Sequence, residues 1–222
     1  MKVWEGLYMP DEETHYIQWF KHTQKYVDGK PAYQYHKYEE CLKVLQNKRN
    51  AIDIGGNLGF WSRVMCLDFN RVEAFEPVQL YADIFKLNAP DANLHVLALS
   101  DEEQVINMVC EEADTCGNTR VEVLKKRGKL REKSIQEAIA VTLDSFEFTE
   151  VDFIKIDCEG YEYPILMGAE QTILANKPVI IVEQKPNKGN TFGYAQDKAV
   201  QYLISLGMKT HKVISGDYIM VW

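Results

Sequence analysis

Asn50-Ala51-Ile52-Asp53-Ile54-Gly55-Gly56-Asn57-Leu58-Gly59-Phe60-Trp61 decides the fold: a short apolar run closing on an acid, three glycines within five residues, then the start of a helical pattern. Such a strand-to-helix turn lets the backbone pass close to a ligand. Gly55, Gly56 and Gly59 supply permissive dihedrals and lack the Cβ atoms that would block approach, while the following helix offers free N–H groups. The stretch predicts a nucleotide-like ligand at the edge of an α/β sheet.

The spacing of the glycines narrows the ligand. Gly55-Gly56-x-x-Gly59, with Asp53 ahead of it, departs from the G-x-G-x-x-G order that seats a pyrophosphate on a helix N-terminus. An acid there repels a diphosphate and suits a ligand with cationic groups and hydroxyls, such as S-adenosylmethionine. The next strand, Arg71-Val72-Glu73-Ala74-Phe75, runs into Glu76-Pro77, and a carboxylate at that tip can accept both hydroxyls of a ribose. Taken singly, the turn is ordinary connection chemistry and Glu76 a solvated acid. Together they point to nucleotide binding.

Working outward, strands and helices alternate: Asn50 to Ile54 with a helix from Gly59, Val72 to Phe75 with a helix from Val78, Leu94 to Leu99, Val151 to Ile156 with a helix from about Tyr161, and Pro178 to Val182. Alternation predicts a doubly wound, mostly parallel sheet. Phe60, Val64 and Leu67, and likewise Leu80, Ile84 and Leu87, recur at helical spacing and are expected to lie on the sheet. A helix through Ala195, Ala199, Leu203 and Leu206 stops at Gly207, and Met208 to Ile214 and Tyr218 to Trp222 read as a hairpin turning at Ser215-Gly216-Asp217. Residues 1–47 form an aromatic-rich, partly helical cap, and 48–222 the ligand-binding domain. About 102–141 the alternation breaks into an inserted hairpin or small sheet, which holds the basic run Lys125 to Arg131. That run reads as a solvated turn or as a grip for an acidic substrate.

At 222 residues and 46% hydrophobic composition the chain can bury one full core, and a formal charge of -8 disfavours nucleic acid or anionic membrane as a partner. Five scattered cysteines without C-x-x-C spacing suggest a reducing compartment and no zinc. Met1 to Pro10 lacks a signal-like apolar stretch, and no run is long enough to span a bilayer, so a cytoplasmic protein is expected. Oligomeric state is not legible.

Phe153-Ile154-Lys155-Ile156-Asp157-Cys158-Glu159-Gly160 carries the chemistry. Ligands bind at the carboxyl ends of parallel strands, so Asp157 and Glu159 are expected to face the same cleft as Asp53 and Glu76. Either can hold an ammonium group or take the proton of an attacking hydroxyl; Asp157 can instead cap the helix that follows. Lys155, inside an apolar strand, needs a partner or must snorkel to the edge, and electrophilic assistance is open to it. Glu183-Gln184 at the next tip, with Asp157, can offer oxygen ligands to a divalent cation, although substrate hydrogen bonding is the simpler use and no metal is expected. The histidines show no ligand spacing, and His15 can serve as a base only if the cap folds over the cleft.

These blocks resemble the FkbM-type S-adenosylmethionine-dependent methyltransferases. The resemblance covers about Asn50 to Pro186 and rests on Ile52 to Gly59, Phe75-Glu76-Pro77, Ala98-Leu99-Ser100-Asp101, Val141-Thr142-Leu143-Asp144, Ile154 to Gly160 and Gly168-Ala169. It implies a class I methyltransferase sheet of seven strands in the order 3-2-1-4-5-7-6. It further implies that Asp53, Gly55, Gly56, Asn57, Gly59 and Phe60 line the cofactor with Asp157, that Glu76 and Pro77 meet the ribose, and that Leu99 and Ser100 border the adenine. The implied activity is O-methylation of a hydroxyl on a small molecule or glycan by in-line displacement, with Asp157 or Glu159 as base and Lys155 beside them, leaving S-adenosylhomocysteine. Gly117-Asn118 is weakly similar to a substrate-side segment. A nicotinamide-dependent oxidoreductase and a non-catalytic binding module are the alternatives.

Overall fold

The computed structural model describes residues 1–110, 119–122, 134–185, 192–195 and 197–222. Its elements in chain order are β1 (Lys2–Trp4), β2 (Leu7–Met9), α1 (His15–Thr23), β3 (Tyr26–Val27), β4 (Lys30–Pro31), α2 (Tyr35–Leu42), β5 (Asn50–Ile54), α3 (Phe60–Met65), β6 (Arg71–Phe75), α4 (Gln79–Asn88), β7 (Asn93–His95) and β8 (Ala98–Leu99). There follow β9 (Gln104–Cys110), β10 (Thr119–Glu122), β11 (Ser134–Val141), a 3-10 turn at Leu143–Phe146, β12 (Val151–Ile156), α5 (Glu162–Met167), α6 (Glu170–Asn176), β13 (Val179–Glu183), α7 (Lys198–Ser205), β14 (Lys209–Ile214) and β15 (Asp217–Val221).

The central sheet runs β14-β15-β13-β12-β5-β6-β7. Numbered by the seven strands alone, this is the expected 3-2-1-4-5-7-6, parallel from β7 to β13 and antiparallel where β15 meets β13 and β14. The reversal comes from the closing hairpin, where Ser215 and Gly216 take φ of 53° and 91° so that the strands can turn back at once. Both faces of the sheet are covered, as the unbroken apolar strands require. Ile52, Ile54, Ile154, Ile156, Ile180 and Val182 pack on the side of α5, α6 and α7, and Ala51, Phe153 and Ile181 pack against Tyr38 of α2 and Trp61, Val64 and Met65 of α3.

Three details differ from the sequence reading, and the small sheet near 102–141 agrees with it. Leu94 to Leu99 is two strands: β7 ends at His95, and β8 leaves the central sheet to pair in parallel with β11. Leu67, Leu80 and Leu87 are exposed, at 54%, 59% and 44%. In α4 the buried face is Tyr81, Ile84, Phe85 and Asn88, an equally helical set one step around the wheel that seats a larger aromatic surface. The interruption near 102–141 is a four-stranded sheet, β10-β9-β11-β8; its basic run and Gly117-Asn118 lie outside the described residues. Last, residues 1–47 divide in two. Helix α2 belongs to the sheet packing and is pinned by the buried pair Lys37–Asp217 at 2.6 Å, whereas α1 and Tyr33 reach the cleft. No described helix is long and apolar enough to cross a membrane.

Candidate active site

One cleft of about 320 Å³ opens over the carboxyl ends of β5, β6 and β12. Its floor is the glycine loop. Gly55 has φ of 77°, and a Cβ there would stand 2.2 Å from the Asp157 carbonyl oxygen, so only glycine lets β5 and β12 end side by side. A Cβ on Gly56 or Gly59 would meet the Phe85 ring at 2.8 and 3.1 Å. These glycines thus permit close approach of the protein's own strand and helix beneath the cleft.

The loop amides tell the same story. Gly55 and Gly56 N–H donate to Phe75 O at 3.0 Å, Asn57 N–H to Glu76 Oε2 at 2.9 Å, Leu58 N–H to Asn57 Oδ1 at 2.9 Å, and Gly59 N–H to Gly56 O at 2.8 Å. Each is satisfied internally, which leaves this stretch without the convergent free N–H groups that cradle a phosphate.

Glu76 forms the next wall. Its second oxygen accepts the Val78 N–H at 2.9 Å, so each carboxylate oxygen takes one amide and keeps a lone pair. Burial pushes its pKa up to about 7 against the pull of those two amides. Beyond it Pro77, Leu97, Leu99, Met108 and Ile165 line an apolar end, with Tyr161 beside them.

Lys155 and Asp53 are register partners on adjacent parallel strands and so point to the same sheet face, toward α3. Lys155 Nζ lies 3.1 Å from Asp53 Oδ1 and donates to Gly55 O at 2.9 Å, while Ser62 of α3 donates to Asp53 Oδ2 at 2.7 Å. Burial works against the ammonium, but Asp53 and then Asp157 outweigh it and hold the Lys155 pKa above its ordinary range. Lys155 thus finds its partner inside the sheet and ties the glycine loop to β12.

The remaining sequence-derived residues divide. Gly55, Gly56, Asn57, Phe60, Glu76, Pro77, Leu99, Lys155, Asp157 and Glu159 line the cleft together. Asp53, Gly59 and Ser100 do not. Asp53 sits one residue before the end of β5, fully buried, where the pleat turns it toward Lys155. Ser100 is buried, bonded to Asp101, Gln104 and Tyr161, and it is the Tyr161 ring that reaches the wall. Asp157 does not cap the next helix, whose N-cap position is Tyr161. Its turn is held instead by Glu162, which accepts the Cys158 and Gly160 N–H groups at 3.0 Å.

Asp157, Glu159 and Glu183 each bring a carboxylate oxygen within 4.8 Å of the others, with Lys185 paired to Glu183. Such a trio can receive a cation, accept a proton, or ligate a hard metal ion. His15, Tyr16, Tyr33 and Gln34 of the cap line the same cleft. The cap does fold over the cleft: Tyr16 meets Phe60 edge-on at 5.0 Å and donates to Asn57 Oδ1 at 3.2 Å, and Asn88 clamps β2 to the loop through Tyr8 and Leu58. The sequence reading weighed His15 but gave no site role to Tyr16, Tyr33, Gln34 or Tyr161; for the two cap tyrosines the density of tyrosines before Asn50 was the available signal.

A family profile for the methyltransferase FkbM domain matches residues 53–210. Among solved structures, the chain is similar to methyltransferase FkbM from Methylobacillus flagellatus KT, at 16% identity and a TM-score of 0.50, covering 80% of this chain and 44% of that one. The chain therefore spans less than half of that longer protein. It is also similar to the O-methyltransferase from Bacillus cereus solved with S-adenosylhomocysteine, at 14% identity and a TM-score of 0.51, covering 92% and 86%. At such identities the likeness is one of fold. A search of curated proteins found no match. The profile spans most of the chain, from the acid of the glycine loop into the closing hairpin, and on it the chain belongs to the methyltransferase FkbM domain family.

Proposed function

We propose that the protein transfers a methyl group from S-adenosylmethionine to a hydroxyl of a small molecule or glycan. The observation that carries this reading is the saturated glycine loop beside Glu76. With every amide from Gly55 to Gly59 bonded internally, the floor offers little to a diphosphate. A buried carboxylate with a lone pair on each oxygen, an apolar end and an acidic end together match a ribose, an adenine and a charged amino-acid tail in one ligand.

Bound there, S-adenosylmethionine supplies an electrophilic methyl on a sulfonium. The residues of the chain do the rest. Glu76 accepts from the ribose hydroxyls, and Leu97, Leu99 and Ile165 enclose the base. Asp157 or Glu159 takes the proton from the acceptor hydroxyl, and the cap excludes water. Charge is lost as the reaction proceeds, so orientation and desolvation supply more of the acceleration than an oxyanion site would. Asp53 acts at one remove, holding Lys155 and through it the loop.

Transfer of labelled methyl from S-adenosylmethionine to a panel of hydroxylated small molecules and glycans, with amines and thiols beside them, tests the reading. Acid-stable, base-stable label in an acceptor is expected. Label that appears only on amine or thiol acceptors would overturn the O-methyl assignment.

A further inference from the structure

The turn that follows Glu76 is held by a residue that lies outside the cleft. Helix α4 begins after Val78, whose side chain has no oxygen with which to cap it, so the N–H groups at its start need acceptors from elsewhere. Two side-chain oxygens supply them. Glu76 Oε1 accepts the Val78 N–H at 2.9 Å, and Gln136 Oε1 accepts the Gln79 N–H at 3.3 Å. The same Gln136 amide donates through Nε2 to Pro77 O at 3.0 Å. Pro77 O can only accept and Gln79 N–H only donate, so the two bonds fix which end of the amide is which. One side chain thus spans Val78 from both sides, and the Val78 amide is the group that holds one oxygen of the Glu76 carboxylate.

Gln136 belongs to the small sheet. Val121, Met108 and Gln136 are register partners in one row across β10, β9 and β11, and register partners project to the same face of a sheet. Val121 and Met108 line the cleft, so the wall that this sheet offers and the clamp on the turn come from a single row of side chains. Without the clamp, Glu76 Oε2 keeps the Asn57 N–H, but the Val78 end of the turn loses both of its outside bonds. We infer that Gln136 is a positioning residue for the methyl donor: it holds Pro77 to Gln79 in place, and so keeps both oxygens of Glu76 aligned with the two ribose hydroxyls. The inference rests on the S-adenosylmethionine reading and deepens it. Two hydroxyls on neighbouring carbons require both carboxylate oxygens at once, so loss of the clamp costs recognition of the ribose and spares the contacts to the base.

The test uses the whole protein and two probes, S-adenosylhomocysteine and its 2′,3′-dideoxy analogue, each titrated by calorimetry. The wild type is expected to prefer the probe with both hydroxyls at least about tenfold. Gln136→Met keeps the length of the side chain and removes its amide. It is expected to weaken S-adenosylhomocysteine about tenfold and to leave the dideoxy analogue within about twofold, so that the preference collapses. Gln136→Glu keeps the acceptor for Gln79 N–H and loses the donor to Pro77 O; it is expected to reduce the same preference about threefold, and it stands in if Gln136→Met does not fold. A role in stability alone would lower the melting temperature and weaken both probes by the same factor. That result, variants with the wild-type preference, or a wild type that binds both probes equally would each overturn the inference. Failure of the wild type to bind S-adenosylhomocysteine at all strikes the S-adenosylmethionine reading itself, and the inference with it.

Discussion

On the floor of the cleft, five successive amides, a buried lysine and a buried aspartate are bonded to one another; on the cap-side wall, His15, Tyr16, Tyr33 and Gln34 present side chains drawn from a segment more than fifteen residues earlier in the chain. The floor is held by five loop amides bonded internally and by the Lys155–Asp53 pair, and its glycines admit neighbours that a Cβ would crowd. The wall is held by edge-on aromatic contacts, each contributing about 1 kcal/mol, and by a few hydrogen bonds. A floor of that kind fixes what the donor must be. A wall of this kind can be rebuilt for a new acceptor without touching the donor.

The largest test of this contrast is Gly55→Ala. A Cβ placed 2.2 Å from a backbone oxygen at φ of 77° forces β5 and β12 apart, and a loss of about 3 kcal/mol or more is expected, read as a fall in melting temperature with loss of S-adenosylhomocysteine binding. A variant as stable as the wild type would mean the floor is softer than its bonding implies. Next, Asp157→Asn should lower turnover about a hundredfold while S-adenosylhomocysteine affinity changes only a few fold. Turnover that requires added magnesium and vanishes in EDTA would instead assign Asp157, Glu159 and Glu183 to metal ligation.

Glu76 joins floor to ligand, and its effect depends on pH. Its folded pKa, about 7, lies above the ordinary 4.5, so the folded state holds the extra proton between those values and Glu76 lowers stability as pH rises through that window. Ribose hydroxyls bind the ionised form best, so affinity for S-adenosylhomocysteine should rise from pH 6 to pH 8. Glu76→Gln is expected to flatten that rise and to weaken binding about tenfold at pH 8; an unchanged pH profile would detach Glu76 from the ligand. The smallest effect belongs to the wall. Tyr16→Phe removes the bond to Asn57 and should cost about 1 kcal/mol of stability, with S-adenosylhomocysteine affinity within about threefold of the wild type.

The floor was the legible half. Two apolar strands ending in acids and a glycine turn dictate parallel strand tips, and the order of seven strands followed from alternation, the closing hairpin and the family resemblance. Orientation was the part that the sequence did not carry. Asp53 and Lys155 share a pleat direction, so the acid expected to meet the ligand is spent on the lysine. The spacing of the glycines did not show that their missing Cβ atoms also make room for Asp157 and Phe85. The wall was hardly legible, because the packing of Tyr16 and Tyr33 on Phe60 and the cleft depends on contacts between segments far apart in sequence, which no periodicity encodes.

Calorimetric titration of the wild-type protein with S-adenosylhomocysteine and, separately, with NAD tests the central claim most directly. The account predicts one S-adenosylhomocysteine bound per chain and no heat from NAD. Saturable binding of NAD, or none of S-adenosylhomocysteine, would contradict it.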